Sequence, residues 1–270
     1  MLQAADLVFG YPGHAPVLRG VTMEMPAESF VGIIGPNGSG KTTLLRALAG
    51  VVRPSSGRVI LDGADLTRVP RQALARRMAV VPQETHLAFD YTVIEVVLMG
   101  RYPHLGTFEI EGPADFTIAR EALAATDTLA LQDRAFDTLS GGEKQRVIIS
   151  AALAQISAAD RDGILLLDEP TVALDLAYQL ELGTLLRDLQ RRLPMAIAVS
   201  THDLNFAAGL CRTLVLLKDG KVLASGATED VLTPDHIRAL YDVEAEVTRH
   251  AGTGRLLVVP VRRVPAGSRA

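Results

Sequence analysis

"GPNGSGKTT", residues 35–43, decides how the rest of the chain reads. An apolar run, "SFVGII", precedes it, and a helix-forming run, "LLRALA", follows. Strand, glycine-rich loop and helix in that order satisfy G-x-x-x-x-G-K-[ST]. Gly35, Pro36, Asn37, Gly38, Ser39 and Gly40 form the loop, and Lys41, Thr42 and Thr43 open the helix. The glycines allow backbone N–H groups to turn inward around phosphate oxygens. The helix start adds about half a positive charge. Lys41 adds a full charge toward the β- and γ-phosphates of a nucleotide, and Thr42 offers a hydroxyl to Mg²⁺.

A phosphate cradle of this kind needs an acidic partner. "ILLLDEP" at 164–170 is a continuous apolar run, as in a strand buried on both faces, and it ends in Asp168 and Glu169. Neighbouring residues at a strand end project differently. Asp168 can therefore face the metal while Glu169 faces an attacking water.

"SGGEKQR" at 140–146 is a second loop-to-helix junction of the anion-binding kind. One nucleotide site does not need two. Ser140, Gly141 and Gly142 are therefore expected to bind the nucleotide held by another copy of the chain. The resulting head-to-tail pair sandwiches two ATP molecules across an isologous interface.

Outward from these motifs, strand-like runs occupy the N-terminal third, with helices expected from Lys41 to Ala49 and over "PRQALARR". From about 84 to 160 helical spacing takes over in "TVIEVVLMG", "PADFTIAREALAAT" and "GGEKQRVIISAALAQ", with "RYPHLGTFEIEGP" as a loop. Beyond "GILLLDEP" strand and helix alternate again: a helix over about 175–192, the strand "MAIAVST", a helix from Asp203 and the strand "TLVLLKDG". That alternation predicts a mostly parallel sheet. The reading is one domain over 1–260, with a helical insert at about 84–160 and a C-terminal segment at about 226–260. A frayed tail follows at 261–270. No function is assigned to the polar run "ISAADRDG" at 156–163.

Bulk properties narrow the field. A net charge of -4, with no long basic run, speaks against a nucleic-acid binder. The single cysteine, Cys211, precludes an internal disulfide, points to a reducing compartment and reads as a buried structural thiol. The N-terminus lacks the basic start and apolar block of a signal peptide. No apolar run approaches the roughly eighteen residues of a membrane span. If the protein works at a membrane, a partner supplies the membrane part.

"GPNGSGKT", "LSGGEKQR" and "ILLLDEP", in that order, resemble the nucleotide-binding subunits of ABC transporters over nearly the whole chain. The resemblance implies an α/β fold: a P-loop NTPase core with a mostly parallel sheet, an N-terminal antiparallel β subdomain and an inserted α-helical subdomain. It also implies ATP and Mg²⁺ as cofactors. Roles carry over onto matching positions. Tyr11 would stack on adenine, although a strand-end tyrosine also suits a core. Gln83 would reach Mg²⁺ and water, joining Thr42 and Asp168 at the metal, and would sense the permease. Glu169 would be the catalytic base. Asp175, in "ALD", would link the two sites of the dimer, and His202 would contact the γ-phosphate. Val172 stands where family members often have serine.

"TVIEVVLMGRYPHLG", 92–106, resembles the matching segment in ATPases of importers for iron–siderophore complexes, haem and cobalamin, and "LTPDHIRALYDVEAEV" resembles that group's C-terminal segment. The implied protein is a peripheral ATPase on the cytoplasmic face of the inner membrane. It works as a homodimer on two copies of a polytopic permease, served indirectly by an extracytoplasmic binding protein, without nucleic acid. His104 and His250 are not read as haem ligands, because the ATPase in such systems does not touch cargo. An exporter ATPase and a soluble assembly ATPase stay open as alternatives. A small-molecule kinase would lack "LSGGE", and a chromosome-maintenance ATPase would need a long coiled coil between the phosphate motifs.

Overall fold

The computed structural model describes residues 1–264 except 86, 157–162 and 173. In chain order the elements are β1 (Leu2–Phe9), β2 (Leu18–Met25), β3 (Phe30–Ile34), α1 (Lys41–Leu48), β4 (Ser56–Leu61) and β5 (Ala64–Asp65). Then come α2 (Arg71–Arg77), β6 (Met78–Val81), α3 (Val93–Leu98), α4 (Pro113–Ala125), α5 (Gly141–Ile156), β7 (Gly163–Asp168) and α6 (Leu176–Arg192). The last part holds β8 (Met195–Thr201), α7 (Leu204–Leu210), β9 (Thr213–Lys218), β10 (Lys221–Ala227), α8 (Thr228–Val231), α9 (Pro234–Tyr241), β11 (Val243–Arg249) and β12 (Leu256–Arg263).

The chain divides into two compact units, one of residues 1–68 with 198 onward, the other of 69–197. The first unit carries an antiparallel sheet ordered β2-β1-β4-β5. Leu2, at its centre, pairs with Met25 on one side and Leu61 on the other. A second sheet in the same unit runs β10-β9-β3-β8. There β3 lies parallel to β9, and β10 returns antiparallel. Every residue of β3 is buried, which explains why "FVGII" shows no polar alternation. β11 and β12 form a separate antiparallel ribbon.

The second unit holds the order β8-β7-β6, with the division of the chain falling inside β8. β6 and β7 are parallel, Val81 opposite Leu167. All of β7 is buried. The helices of this unit start on capping chemistry. Thr92 N–H donates to Glu95 Oε2 at 2.7 Å ahead of α3, and Gly112 N–H to Asp115 Oδ2 at 3.0 Å ahead of α4. Apolar residues such as Val93, Val97, Leu123, Val147 and Ile149 are fully buried between them.

Three expectations change. "RYPHLGTFEIEGP" is not loop throughout: Met99–His104 winds as a 3₁₀ helix. Its reason is Arg101, buried and bonded through Nε to Asp115 Oδ1 at 3.0 Å and through Nη1 to Ala154 O at 2.6 Å. The stretch read as a tail from 261 begins as strand, since β12 continues to Arg263. The ribbon β11–β12 and the strands β5 and β10 were not expected as elements. Residues 265–270 of the tail and 157–162 of the polar run lie outside the described residues.

Candidate nucleotide site

In the first unit β3 delivers the chain into the phosphate loop. A Cβ on Gly35 would lie 2.2 Å from Leu217 O and 2.5 Å from Ser39 Oγ, so only glycine fits. Gly38 and Gly40 adopt φ of 78° and 105°, the left-handed region that glycine enters without steric cost. The loop closes on itself through Ser39 N–H to Pro36 O at 3.2 Å and is tied to the β9–β10 turn through Gly220 N–H to Ser39 O at 3.1 Å. Lys41, only 5 % exposed, donates from Nζ to Gly35 O at 2.8 Å and Pro36 O at 3.2 Å. Its ammonium is thus held over the loop rather than in solvent.

Ser39 tests whether this loop fits a phosphate. Its Oγ is buried and has no hydrogen-bond partner. Buried hydroxyls are almost always satisfied, and one left open inside a glycine cradle beside a lysine matches an oxygen-rich anionic ligand.

Thr43 is buried on the first turn of α1. Hydrogen bonding from Thr43, and then Arg46, holds the Tyr11 phenol below its usual pKa. Arg46 Nη1 reaches Tyr11 Oη at 3.4 Å, and the Tyr11 ring meets Phe9 edge-on at 5.1 Å between centroids. At 36 % exposure Tyr11 is not a core residue; its ring is presented at the surface, as a stacking platform requires. His202 directly follows β8 with an exposed side chain, and its carbonyl accepts from Tyr241 Oη at 3.2 Å. Asp203 caps α7, accepting from the N–H groups of Asn205 and Phe206.

In the second unit β7 ends at Asp168, and Asp168 and Glu169 are each 6 % exposed. Glu169 has φ of 48°, a strained conformation for a residue with a Cβ. It lies immediately after the end of β7, where the chain leaves the strand. Gln83 is exposed just past β6, after Pro82.

The second glycine junction is a built helix start. Ser140 N–H donates to Glu143 Oε2 at 2.8 Å and Glu143 N–H to Ser140 Oγ at 3.3 Å, a reciprocal capping box. The Ser140 N–H, foremost, holds the Glu143 carboxyl below its ordinary range. Within the cap Ser140 Oγ accepts the Glu143 N–H, and the Ser140 hydroxyl also bonds the Glu143 carboxyl. Gly141 is exposed at the tip. Gly142 is buried, and a Cβ there would lie 2.2 Å from Tyr178 Cδ1. Tyr178 is itself placed by Asp175, whose Oδ1 accepts the Tyr178 N–H at 3.0 Å to cap α6. Tyr178 thus meets both, its backbone N–H on Asp175 and its ring against Gly142, a link that no spacing in the sequence announces. The same holds for Tyr241 at His202.

Among the described residues no three His, Cys, Asp or Glu gather as a metal site. The expected donors are oxygens of Thr42, Gln83 and Asp168. They suit a hard cation such as Mg²⁺, which keeps waters and phosphate oxygens around it.

Known proteins bear on this arrangement. The family model described as ABC transporter matches residues 18–172, a span that contains both glycine junctions, Gln83, Asp168 and Glu169. The chain is 44% identical to the hemin import ATP-binding protein HmuV of Bordetella pertussis over 262 residues, 96% of this chain and 98% of that one. It is 38% identical to the ferric enterobactin transport ATP-binding protein FepC of Escherichia coli, covering 97% and 94%. A solved inward-facing structure of a metal-chelate type ABC transporter superposes with a TM-score of 0.83 at 29% identity, over 96% of each chain. A matched segment longer than half the chain, with relatives aligned from end to end, places this protein in the ABC transporter family.

Proposed function

We propose that this chain is the ATP-hydrolysing subunit of an importer for haem, a ferric siderophore or cobalamin, acting as a homodimer with two ATP molecules at its interface. The observation that carries the ATPase reading is the pair of glycine-built junctions in one chain, with Gly35 in the loop ahead of α1 and Gly142 in the first turn of α5, each closed to any side chain by its neighbours. The importer reading rests on relatives aligned from end to end, named as hemin and ferric enterobactin import subunits, and on a cobalamin import subunit matched over 86% of this chain and 56% of its own length.

Residue by residue, the backbone of 35–40 and Lys41 take the β- and γ-phosphates, Thr43 supports the first turn of α1, and Tyr11 stacks on the base. Ser140, Gly141 and Gly142 take the γ-phosphate of the ATP held by the second copy. Thr42, Gln83 and Asp168 hold Mg²⁺, which supplies charge neutralisation on the phosphate oxygens when bound. Glu169 accepts a proton from the attacking water. His202 contacts the γ-phosphate, and Asp175 joins the two sites. Binding adds phosphate contacts from both copies and closes the pair. Loss of the bond to the γ-phosphate removes them, and the pair opens.

Gln83 is exposed, as a residue that meets a permease would be, and Phe89, Phe108 and Ile110 of the same unit are 71%, 100% and 84% exposed. Among the described residues no helix is long and apolar enough to cross a membrane.

The test is purification from native membranes in mild detergent. A polytopic permease, two copies with two of this chain, is the expected companion. ATPase activity should then rise with binding protein loaded with one of haem, ferric siderophore or cobalamin, and that response names the cargo. Recovery of soluble proteins alone would refute the importer assignment.

A further inference from the structure

We propose that the C-terminal segment holds the His202 junction in its working position, with Tyr241 as a positioning residue for ATP hydrolysis. This rests on the reading of His202 as the γ-phosphate contact.

The junction between β8 and α7 is short. Asp203 N–H donates to Thr201 Oγ1 at 3.0 Å, and Asp203 caps α7, so the turn has local order. Two contacts reach it from residues far along the chain. Tyr241 Oη donates to His202 O at 3.2 Å, across 39 positions. Asn205, three residues beyond His202, donates from Nδ2 to Val258 O at 3.2 Å and accepts the Val258 N–H on Oδ1 at 2.7 Å. That is the paired pattern a neighbouring strand would make, so Asn205 docks the start of α7 on the edge of β12.

The mount is rigid. α9 buries Ile237 and Leu240, at 2% and 1% exposure, and begins with a Thr233 cap on His236 N–H. Lys218 Nζ donates to Ala239 O at 2.5 Å near the end of the same helix. Tyr241, the last residue of α9, is therefore fixed before it reaches the His202 carbonyl. A hydrogen bond to that carbonyl restrains the peptide that follows His202 and with it the backbone position from which the exposed imidazole departs. Residues 234–263 thereby act on the nucleotide site without touching nucleotide.

The experiment is steady-state hydrolysis of Mg-ATP by the purified full chain as wild type, Y241F, N205A and H202A. Tyr241→Phe keeps the ring and removes one hydrogen bond. Its kcat should fall about threefold to tenfold, the factor one such bond is worth, while KM for ATP and the thermal midpoint hold. Asn205→Ala should give the same split. In the H202A background Tyr241→Phe should not slow the residual rate further. An unchanged kcat in Y241F overturns the proposal, as does a raised KM or an equal loss with and without His202. Wild-type hydrolysis by H202A would instead remove His202 from the γ-phosphate, a failure of the functional reading told apart by the other variant.

Discussion

Glu169 carries two burdens at once: a buried carboxylate and a backbone at φ 48°. Strain of that kind persists where the surroundings over-determine it, and a fixed base is a reason for it to be kept. Glu169→Gln keeps shape and burial but cannot accept the water's proton. It should bind Mg-ATP with affinity near wild type while phosphate release falls about 10²–10⁴-fold, the usual contribution of a general base. Fast turnover in that variant would take the role from Glu169. Gly142 is constrained by sterics instead. Gly142→Ala forces the Tyr178 ring aside and should cut hydrolysis sharply, and Tyr178→Ala added to it should restore part of the rate. Equal activity of the single and double variants would show that the ring is not the obstacle. Of these residues, the glycines and acids were legible because phosphate and metal chemistry fixes their spacing. Tyr178, Tyr241 and Asn205 were not, because each acts on a residue that periodicity does not link to it.

At the scale of single elements, caps decide several helix starts. Asp203 accepts two N–H groups of α7, a helix of seven residues. Asp203→Ala should cost about 1 kcal/mol of unfolding free energy, measured by urea titration. Ahead of α4 the Asp115 carboxyl is held below its usual range by the Gly112 N–H and then by Arg101, against the opposing effect of burial. A depressed folded pKa gives stability that is present above the unfolded value near 4 and is lost as pH falls through the folded one. Asp115→Asn should therefore lower the urea midpoint at neutral pH and converge on wild type in acid. A gap that persists at low pH would contradict this. The helices of the insert were legible from their spacing; their caps at Thr92 and Gly112 emerged only in the fold. The β11–β12 ribbon was hidden by Pro260, which demotes a strand pattern; it sits opposite Ala245 beside an irregularity of register, where a missing N–H is tolerated. The 3₁₀ turn at Met99–His104 was hidden for another reason. A buried Arg101 organises it, and arginine ordinarily signals surface.

Across the whole molecule the two glycine-opened helix starts make sense together only with a second copy. On the function proposed above, one chain would supply the loop around Lys41 and the other the cap at Ser140, and ATP would be at once ligand and adhesive. The fold class was readable because strand–loop–helix order and buried apolar strands survive in sequence as unbroken patterns. A solved structure of a bacterial ABC transporter cassette, at TM-score 0.71 and 27% identity, is dimeric, so a protein similar to this chain does pair. The most direct test is the mass in solution of Glu169→Gln, by light scattering after size exclusion, with and without Mg-ATP. The account predicts a monomer without nucleotide and a dimer with it, carrying two ATP and reverting when Ser140 is replaced by Arg. A variant that binds ATP fully and stays monomeric would contradict the shared site.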